Sequence, residues 1–176
     1  RLNADKDSYG VPRSKSIQTT PAHQLALAAV YYSPLQYMYW YDKPSDSQDE
    51  PELKFFDDVY TTWDDTKVLQ GEVGEFITIA RRKGEEWFIG SITNNEKRVL
   101  SVSLDFLPEG KNYIAEIYTD GDKSVKTRTK VRVSTYRVSN KTKLNFCLKA
   151  SGGAAVRLVP DDGNIKSVKN YKQQRL

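Results

Sequence analysis

The sequence contains very little cysteine, methionine and histidine. Its 176 residues include one of each. Because Cys147 is alone, an internal disulfide is excluded, and the surrounding run Leu144-Asn145-Phe146-Cys147-Leu148 predicts a packing residue in a strand. One histidine, His23, cannot supply a His-based zinc cluster. No run approaches the ~20 apolar residues that span a bilayer, so the sequence predicts no membrane span.

Motifs that carry chemistry are also scarce. There is no Gly-rich phosphate loop and no serine nucleophile elbow. Hydrolysis by a general acid and a second carboxylate needs two carboxyl groups about 5–10 Å apart across a cleft. The pairs Asp57-Asp58 and Asp64-Asp65 are adjacent acids; neighbours on a helix point in different directions, and Asp64 suits a cap or turn. We therefore predict no catalytic, cofactor-binding or metal-binding residue in this chain.

Charge divides the chain into two parts. Residues 1–66 carry a net charge of −5 and residues 67–176 carry +9. A basic half can bind nucleic acid through phosphates. Here the basic residues alternate with Val and Thr through 125–133, which is typical of the solvent face of a strand. The charge step favours a domain boundary near residue 66, and we expect no nucleic-acid partner.

The first part of the chain predicts helices. Thr20 can cap a helix that begins at Pro21, and strong helix formers follow to Tyr32. This helix is apolar almost all round, so it should be buried on more than one side. Ser33-Pro34 interrupts it, and residues 35–41 add four aromatic side chains without a second amphipathic helix of equal size to cover them. We infer that a partner surface is missing. A second, short helix is predicted over residues 52–60.

After Trp63 the hydrophobic period changes to two, which indicates strands. Turn signals separate about seven short segments with one apolar face each, which predicts an antiparallel β-sandwich with Greek-key connections. The predicted strands are Phe76–Arg82, Glu86–Thr93, Val99–Phe106, Tyr113–Thr119, Val125–Val133, Thr142–Lys149 and Ala154–Val159. Residues 161–176 are polar and predict a weakly ordered tail.

Several short motifs, in their order and spacing, resemble the C-terminal end of glycoside hydrolase family 97. They span roughly residues 21–160. In chain order they are His23-Gln24-Leu25-Ala26-Leu27, Tyr32-Ser33-Pro34-Leu35-Gln36, Trp63-Asp64-Asp65-Thr66, Val73-Gly74-Glu75, Ile79-Ala80-Arg81-Arg82-Lys83-Gly84, Trp87-Phe88-Ile89-Gly90, Asp105-Phe106-Leu107-Pro108-Glu109-Gly110, Ala115-Glu116-Ile117, Gly152-Gly153 and Arg157-Leu158.

The resemblance implies a bacterial α-glucosidase or α-galactosidase built from an N-terminal sandwich, a (β/α)8 barrel and a C-terminal sandwich. Residues 1–65 would be the helical end of the barrel, 66–160 the C-terminal β-sandwich and 161–176 a polar tail. The family's catalytic carboxylates and calcium ligands lie in earlier parts of the barrel and match no position here. The resemblance also implies a periplasmic or secreted enzyme that takes α-linked oligosaccharides. We expect this chain to be inactive alone and to brace the barrel, with Trp63 buried against the sandwich.

A carbohydrate-binding or protein-interaction module is the alternative function. Sugars stack on exposed aromatic faces, and Trp87, Tyr113, Tyr118 and Tyr136 lie on or beside predicted strands. Aromatic side chains also fill sandwich cores, so burial decides between the two roles. A bare apolar helix face could instead make the chain form a homodimer.

Overall fold

A computed structural model describes residues 18–37, 40, 50–164 and 167–172. Within these residues, two helices and a short 3₁₀ turn precede eight strands. Their bounds are α1 Pro21–Val30, the 3₁₀ turn Pro51–Leu53, α2 Lys54–Asp58, β1 Asp65–Glu72, β2 Phe76–Lys83, β3 Glu86–Thr93, β4 Arg98–Ser103, β5 Asn112–Asp120, β6 Val131–Ser139, β7 Lys143–Leu148 and β8 Gly153–Pro160.

The eight strands form two antiparallel sheets. One has six strands in the order β1-β2-β3-β8-β5-β6, and the other pairs β4 with β7. The last strand, β8, returns to lie between β3 and β5, which is a connection of the Greek-key kind. The prediction of a mainly β, antiparallel sandwich is therefore confirmed.

The main core lies between the two sheets. Alternate residues of each strand point into it, because successive side chains of a strand face opposite sides. Leu144, Phe146 and Leu148 of β7 are buried there against Ile89 of β3 and Val156 of β8. The same alternation turns Cys147 outward, where it is exposed. The prediction that Cys147 is a packing residue is therefore wrong.

A second core lies on the outer face of the six-stranded sheet, beneath α1. Helix α1 approaches the sheet at two glycines. A Cβ atom on Gly90 would lie 2.4 Å from the carbonyl oxygen of Ala26, and one on Gly153 would lie 2.6 Å from the Cα of His23. Any larger residue at either position would therefore push the helix away from the sheet.

Both ends of α1 are held by hydrogen bonds. The Thr20 hydroxyl accepts from the backbone N–H of His23 at 3.2 Å, as predicted for an N-cap. At the other end the buried guanidinium of Arg81 donates to the carbonyls of Ala29 at 2.6 Å and Val30 at 2.9 Å. The last carbonyls of a helix lack partners within it, so Arg81 supplies them from β2.

Two strand predictions differ from the structure. Residues 121–130 form a loop in place of the predicted strand Val125–Val133, and β6 begins at Val131. Gly121 closes this loop by donating to the carbonyl of Lys130 at 2.7 Å, and Lys130 has a positive φ of 57°. In this stretch Thr residues alternate mostly with Lys and Arg, so a strand here would bury little apolar surface. Strand β1 was not predicted, because its bulge between Val68 and Gln70 breaks the period of two.

The prediction that Trp63 is buried against the sandwich is met only in part. Its side chain is half-buried and packs on Phe88 of β3, with ring centroids 5.5 Å apart. It therefore contacts the outer core beneath the helices and leaves part of its surface in solvent.

Replacing Arg81 by Met should destabilise the fold. The variant keeps a long side chain but leaves two buried helix carbonyls without their donor, at a cost of about 3 kcal/mol. Urea unfolding monitored by circular dichroism measures the change. Arg82→Met is the matched control, because the neighbouring guanidinium is partly exposed and donates to Gly84. Equal losses for the two variants would contradict the anchoring role of Arg81.

Candidate functional site

The first pair of acids, Asp57-Asp58, lies on α2 and does not form a catalytic pair in the described chain. Asp57 is exposed, whereas Asp58 accepts from the guanidinium of Arg157 at 2.7 Å and from Lys54. Arg157 also contacts Glu86 at 2.8 Å. Asp58 therefore ties α2 to the outer face of the sheet.

The second pair, Asp64-Asp65, stands at the start of β1. Asp64 accepts from the backbone N–H of Gly84 at 2.8 Å and from Lys83 at 3.1 Å, and these contacts hold the pKa of Asp64 below its usual value. A general acid needs the opposite shift, a raised pKa. Asp65 accepts from the N–H of Thr66 at 2.8 Å. These are contacts of turn and strand-end residues.

His23 has a structural contact as well. Its Nδ1 lies 3.1 Å from the carbonyl oxygen of Gly152, which fits donation from Nδ1–H. Burial lowers the pKa of His23, although this hydrogen bond opposes the shift. Within residues 18–37, 40, 50–164 and 167–172, no three His, Cys, Asp or Glu side chains are grouped closely enough to hold a metal ion. Over the same residues, no helix is long and apolar enough to cross a membrane.

The aromatic candidates for sugar stacking are divided by burial. Trp87, Tyr113 and Tyr118 are each at least 96% buried, so their ring faces are not available to a sugar. Tyr136 of β6 is half-buried and packs edge-on against Tyr171, with ring centroids 5.3 Å apart. It is the one of the four that can meet a ligand.

A cluster of exposed apolar side chains of the described chain lies just after α1. We name residues 31–37 the aromatic segment. Tyr31, Tyr32, Leu35 and Tyr37 are 61%, 68%, 72% and 91% exposed. Tyr32 lies over the guanidinium of Arg81, 5.2 Å from ring centroid to Cζ, so the segment begins at the anchored end of the helix. Large exposed patches of this kind mark interaction surfaces. The sequence predicted that residues 35–41 lack a covering surface. That prediction is wrong for Trp40, which is buried in the outer core and packs edge-on against Phe56. Residues 38, 39 and 41 lie outside the described residues.

A second apolar surface lies at the β1–β2 hairpin. A groove of about 570 Å³ is lined by Val68, Val73, Phe76, Ile77 and Ile92. Val68 is 68% exposed and Val73 is fully exposed. Sequence reasoning missed this groove, because it forms only when three strands bring residues distant in the chain side by side.

Glu52 is the one fully buried acid of the described chain. Neither of its carboxylate oxygens has a hydrogen-bond partner among the described residues. Burial raises the pKa of Glu52; the nearby Thr129 hydroxyl partly opposes this shift, and the Glu50 carboxylate adds to it. An uncompensated buried charge is costly, so folding favours the protonated form.

These features define a class of protein. In the described chain, Asp58, Asp64 and Asp65 are bonded within the sandwich fold, and exposed apolar side chains lie beside helix α1 and at the β1–β2 hairpin. Such a domain supports or binds other parts of an assembly.

Comparisons with known proteins agree. Residues 62–159 match the family described as glycosyl-hydrolase 97 C-terminal, oligomerisation. A retaining alpha-galactosidase from Bacteroides thetaiotaomicron is 34% identical over 158 residues, which are 89% of this chain and 23% of that protein. A glycoside hydrolase family 97 enzyme from Pseudoalteromonas sp. strain K8, solved with acarbose, is 37% identical with a TM-score of 0.73; the match covers 81% of this chain and 23% of that one. A beta-arabinopyranosidase shares the fold at 24% identity and a TM-score of 0.65, over 84% and 22% of the two chains.

The chain therefore belongs to glycoside hydrolase family 97, as its C-terminal region. It spans about a quarter of the length of the relatives it matches. It corresponds to a non-catalytic part of a glycoside hydrolase.

Stability should depend on pH through Glu52. The pKa of Glu52 in the folded state lies above the ordinary value of 4.5, so the folded state binds more protons than the unfolded state. The contribution of Glu52 to the free energy of unfolding is fully present below pH 4.5. It is lost as the pH rises through the pKa that Glu52 has in the folded state. Glu52→Gln should remove this dependence and be the more stable form near neutral pH. Urea unfolding over a pH series measures it.

Glu109→Gln serves as the control, since Glu109 is exposed in the turn before β5. It should keep the wild-type pH dependence. If Glu52→Gln also keeps it, the buried carboxyl is not the group that titrates.

Proposed function

We propose that this chain is the bracing C-terminal part of a longer enzyme that hydrolyses α-linked glucosides or galactosides. Its family membership and the alpha-galactosidase activity of its Bacteroides relative support this substrate class. A catalytic (β/α)8 barrel in the longer enzyme would carry the reaction. This chain would hold the barrel's helical end in place.

The observation that carries the proposal is the pairing of an anchored helix with the exposed aromatic segment. We propose that residues 1–65 complete the barrel, 66–160 are the sandwich and 161–176 are a tail. Helix α1 would then lie in the part of the chain that completes the barrel, although it packs against the sandwich. A barrel surface resting on the aromatic segment would be fixed to the sandwich through α1 and Arg81.

Two further properties follow from the family rather than from the described residues. We propose that calcium binds in the barrel of the longer enzyme, through residues outside this chain. We also propose a periplasmic or secreted location, as the family resemblance implies.

The bracing role is tested with Leu35→Ser. Leu35 is 72% exposed, so the substitution should leave the stability of this chain unchanged. In the longer enzyme the same change should cost about 2 kcal/mol, because there Leu35 would be buried against the barrel. Thermal unfolding of both proteins measures the difference.

Val99→Ser is the matched control, because Val99 is 54% exposed on the opposite sheet. It should affect neither protein. Hydrolysis of aryl α-glucoside and α-galactoside with calcium completes the test, with activity expected only in the longer enzyme. Turnover by this chain alone would show that Asp57, Asp58, Asp64 or Asp65 takes part in catalysis.

Self-association is a second candidate function, favoured by the hairpin groove. Strand β1 lies at the end of the six-stranded sheet, beside exposed Val68 and Val73. Sheet edges with apolar side chains readily join another chain. The family description names oligomerisation, which supports a second copy of this chain as the molecule that fills the hairpin groove.

Sedimentation velocity measures this association. Val68→Lys with Val73→Lys should convert a dimer to monomer, because two charges would be buried at the contact. Val133→Lys, on the far strand β6, is the control and should leave the dimer intact. A wild-type chain that is monomeric at all concentrations contradicts self-association through the groove.

A further inference from the structure

The two sheets differ in width, and this leaves a cleft on the inner side of the larger one. Strand β7 packs against β5 and β8 of the larger sheet, whereas Arg132 near the start of β6 is exposed. Between the inner face of β6 and the edge of β7 lies a cleft of about 760 Å³. Ligand pockets for small molecules have this size. The cleft is on the side of the sheet opposite α1, so it is separate from the aromatic segment.

The inner face of β6 changes character along the strand. Val138 is buried in the core, and the residues that follow on the same face toward the cleft are Tyr136, Ser134 and Arg132. If this face of β6 served only to pack the core, the residues beyond Val138 on the same face would also be apolar. Here it offers an aromatic ring, a hydroxyl and a guanidinium to the cleft.

The edge of β7 adds backbone hydrogen-bonding groups. Alternate residues of an edge strand direct their N–H and C=O away from the sheet. The N–H of Asn145 donates outward to the Tyr171 hydroxyl at 3.0 Å, and that of Lys149 donates to Asp120 at 2.9 Å. Cys147 lies between them, so its N–H and C=O also point into the cleft.

Two positively charged side chains of the cleft are already held in place by contacts within the protein. Arg132 contacts Asp122 and Ser124, each at 3.0 Å, and the Lys149 ammonium donates to the carbonyl of Gly121. Held side chains lose less conformational freedom on binding.

The acids of the cleft are already engaged. Asp120 accepts from two backbone N–H groups, those of Lys149 and Gly153, and Asp122 is bonded to Arg132 and Ser124. Lys97 and Lys149 have no carboxylate partner within the described part of the chain. The cleft therefore presents an excess of positive charge.

We propose that this cleft binds a saccharide that carries an anionic group. A pyranose has a C–H face that suits the Tyr136 and Tyr171 rings and a rim of hydroxyls that suits Ser134 and the β7 backbone. A carboxylate or sulfate on the sugar would pair with Arg132 and Lys149, whose charge-assisted hydrogen bonds are the strong ones. This site goes beyond the bracing role and does not depend on it.

The test uses trigalacturonic acid as the probe and the whole chain as the protein. Calorimetry should show binding, and saturating probe should slow the reaction of a maleimide with Cys147, the sole cysteine, which lies exposed in the cleft. Arg132→Gln and Tyr136→Leu should each weaken binding about tenfold. Thermal unfolding verifies that each variant is folded.

Lys126→Gln is the matched control, because Lys126 is exposed in the 121–130 loop and does not line the cleft. It should bind the probe as the wild type does. Neutral maltotriose and a triaspartate peptide should bind far more weakly. Equal binding of maltotriose overturns the role of charge, and equal binding of triaspartate overturns the saccharide. Absence of both heat and Cys147 protection at millimolar probe overturns the site. None of these outcomes bears on hydrolysis by the longer enzyme.

Discussion

The contact of α1 with the outer face of the six-stranded sheet is the constraint on which the rest of the structure depends. Gly90 and Gly153 lack side chains where the helix backbone passes, and Arg81 joins the helix end to β2. Direct backbone approach leaves no room for sliding, so the helix position is set by the sheet. The aromatic segment that follows α1 is therefore presented at a fixed place.

The same sheet has a different use on each face. Its outer face is covered by helices and carries the exposed apolar surface, which suits attachment to a larger protein. Its inner face forms the sandwich core and, beyond the narrow second sheet, the polar cleft along β6. A ligand in the cleft and a barrel on the aromatic segment would thus occupy opposite sides of one rigid layer.

Charged side chains mostly serve the fold. Arg157 contacts Glu86 of β3 and Asp58 of α2, and Asp120 accepts from the backbone of Lys149 and Gly153. Such partly buried pairs fix how elements lie against one another more than they add free energy. Glu52 is the exception, since its buried carboxyl has no such partner among the described residues and burial raises its pKa.

The sequence by itself determined the sandwich, the N-cap at Thr20 and the apolar load after α1, because these follow from local period and capping chemistry. It did not determine β1, because a bulge interrupts the alternation of apolar and polar residues in that strand. It also did not determine the loop at 121–130, because the alternating residues there offer too little apolar surface to form a buried strand. Only the tertiary structure decided that Cys147 faces outward and that Tyr136, but not Tyr118, can meet a ligand. A strand's pattern shows that two faces differ; which face is buried, and how far, depends on the width of the sheet packed against it.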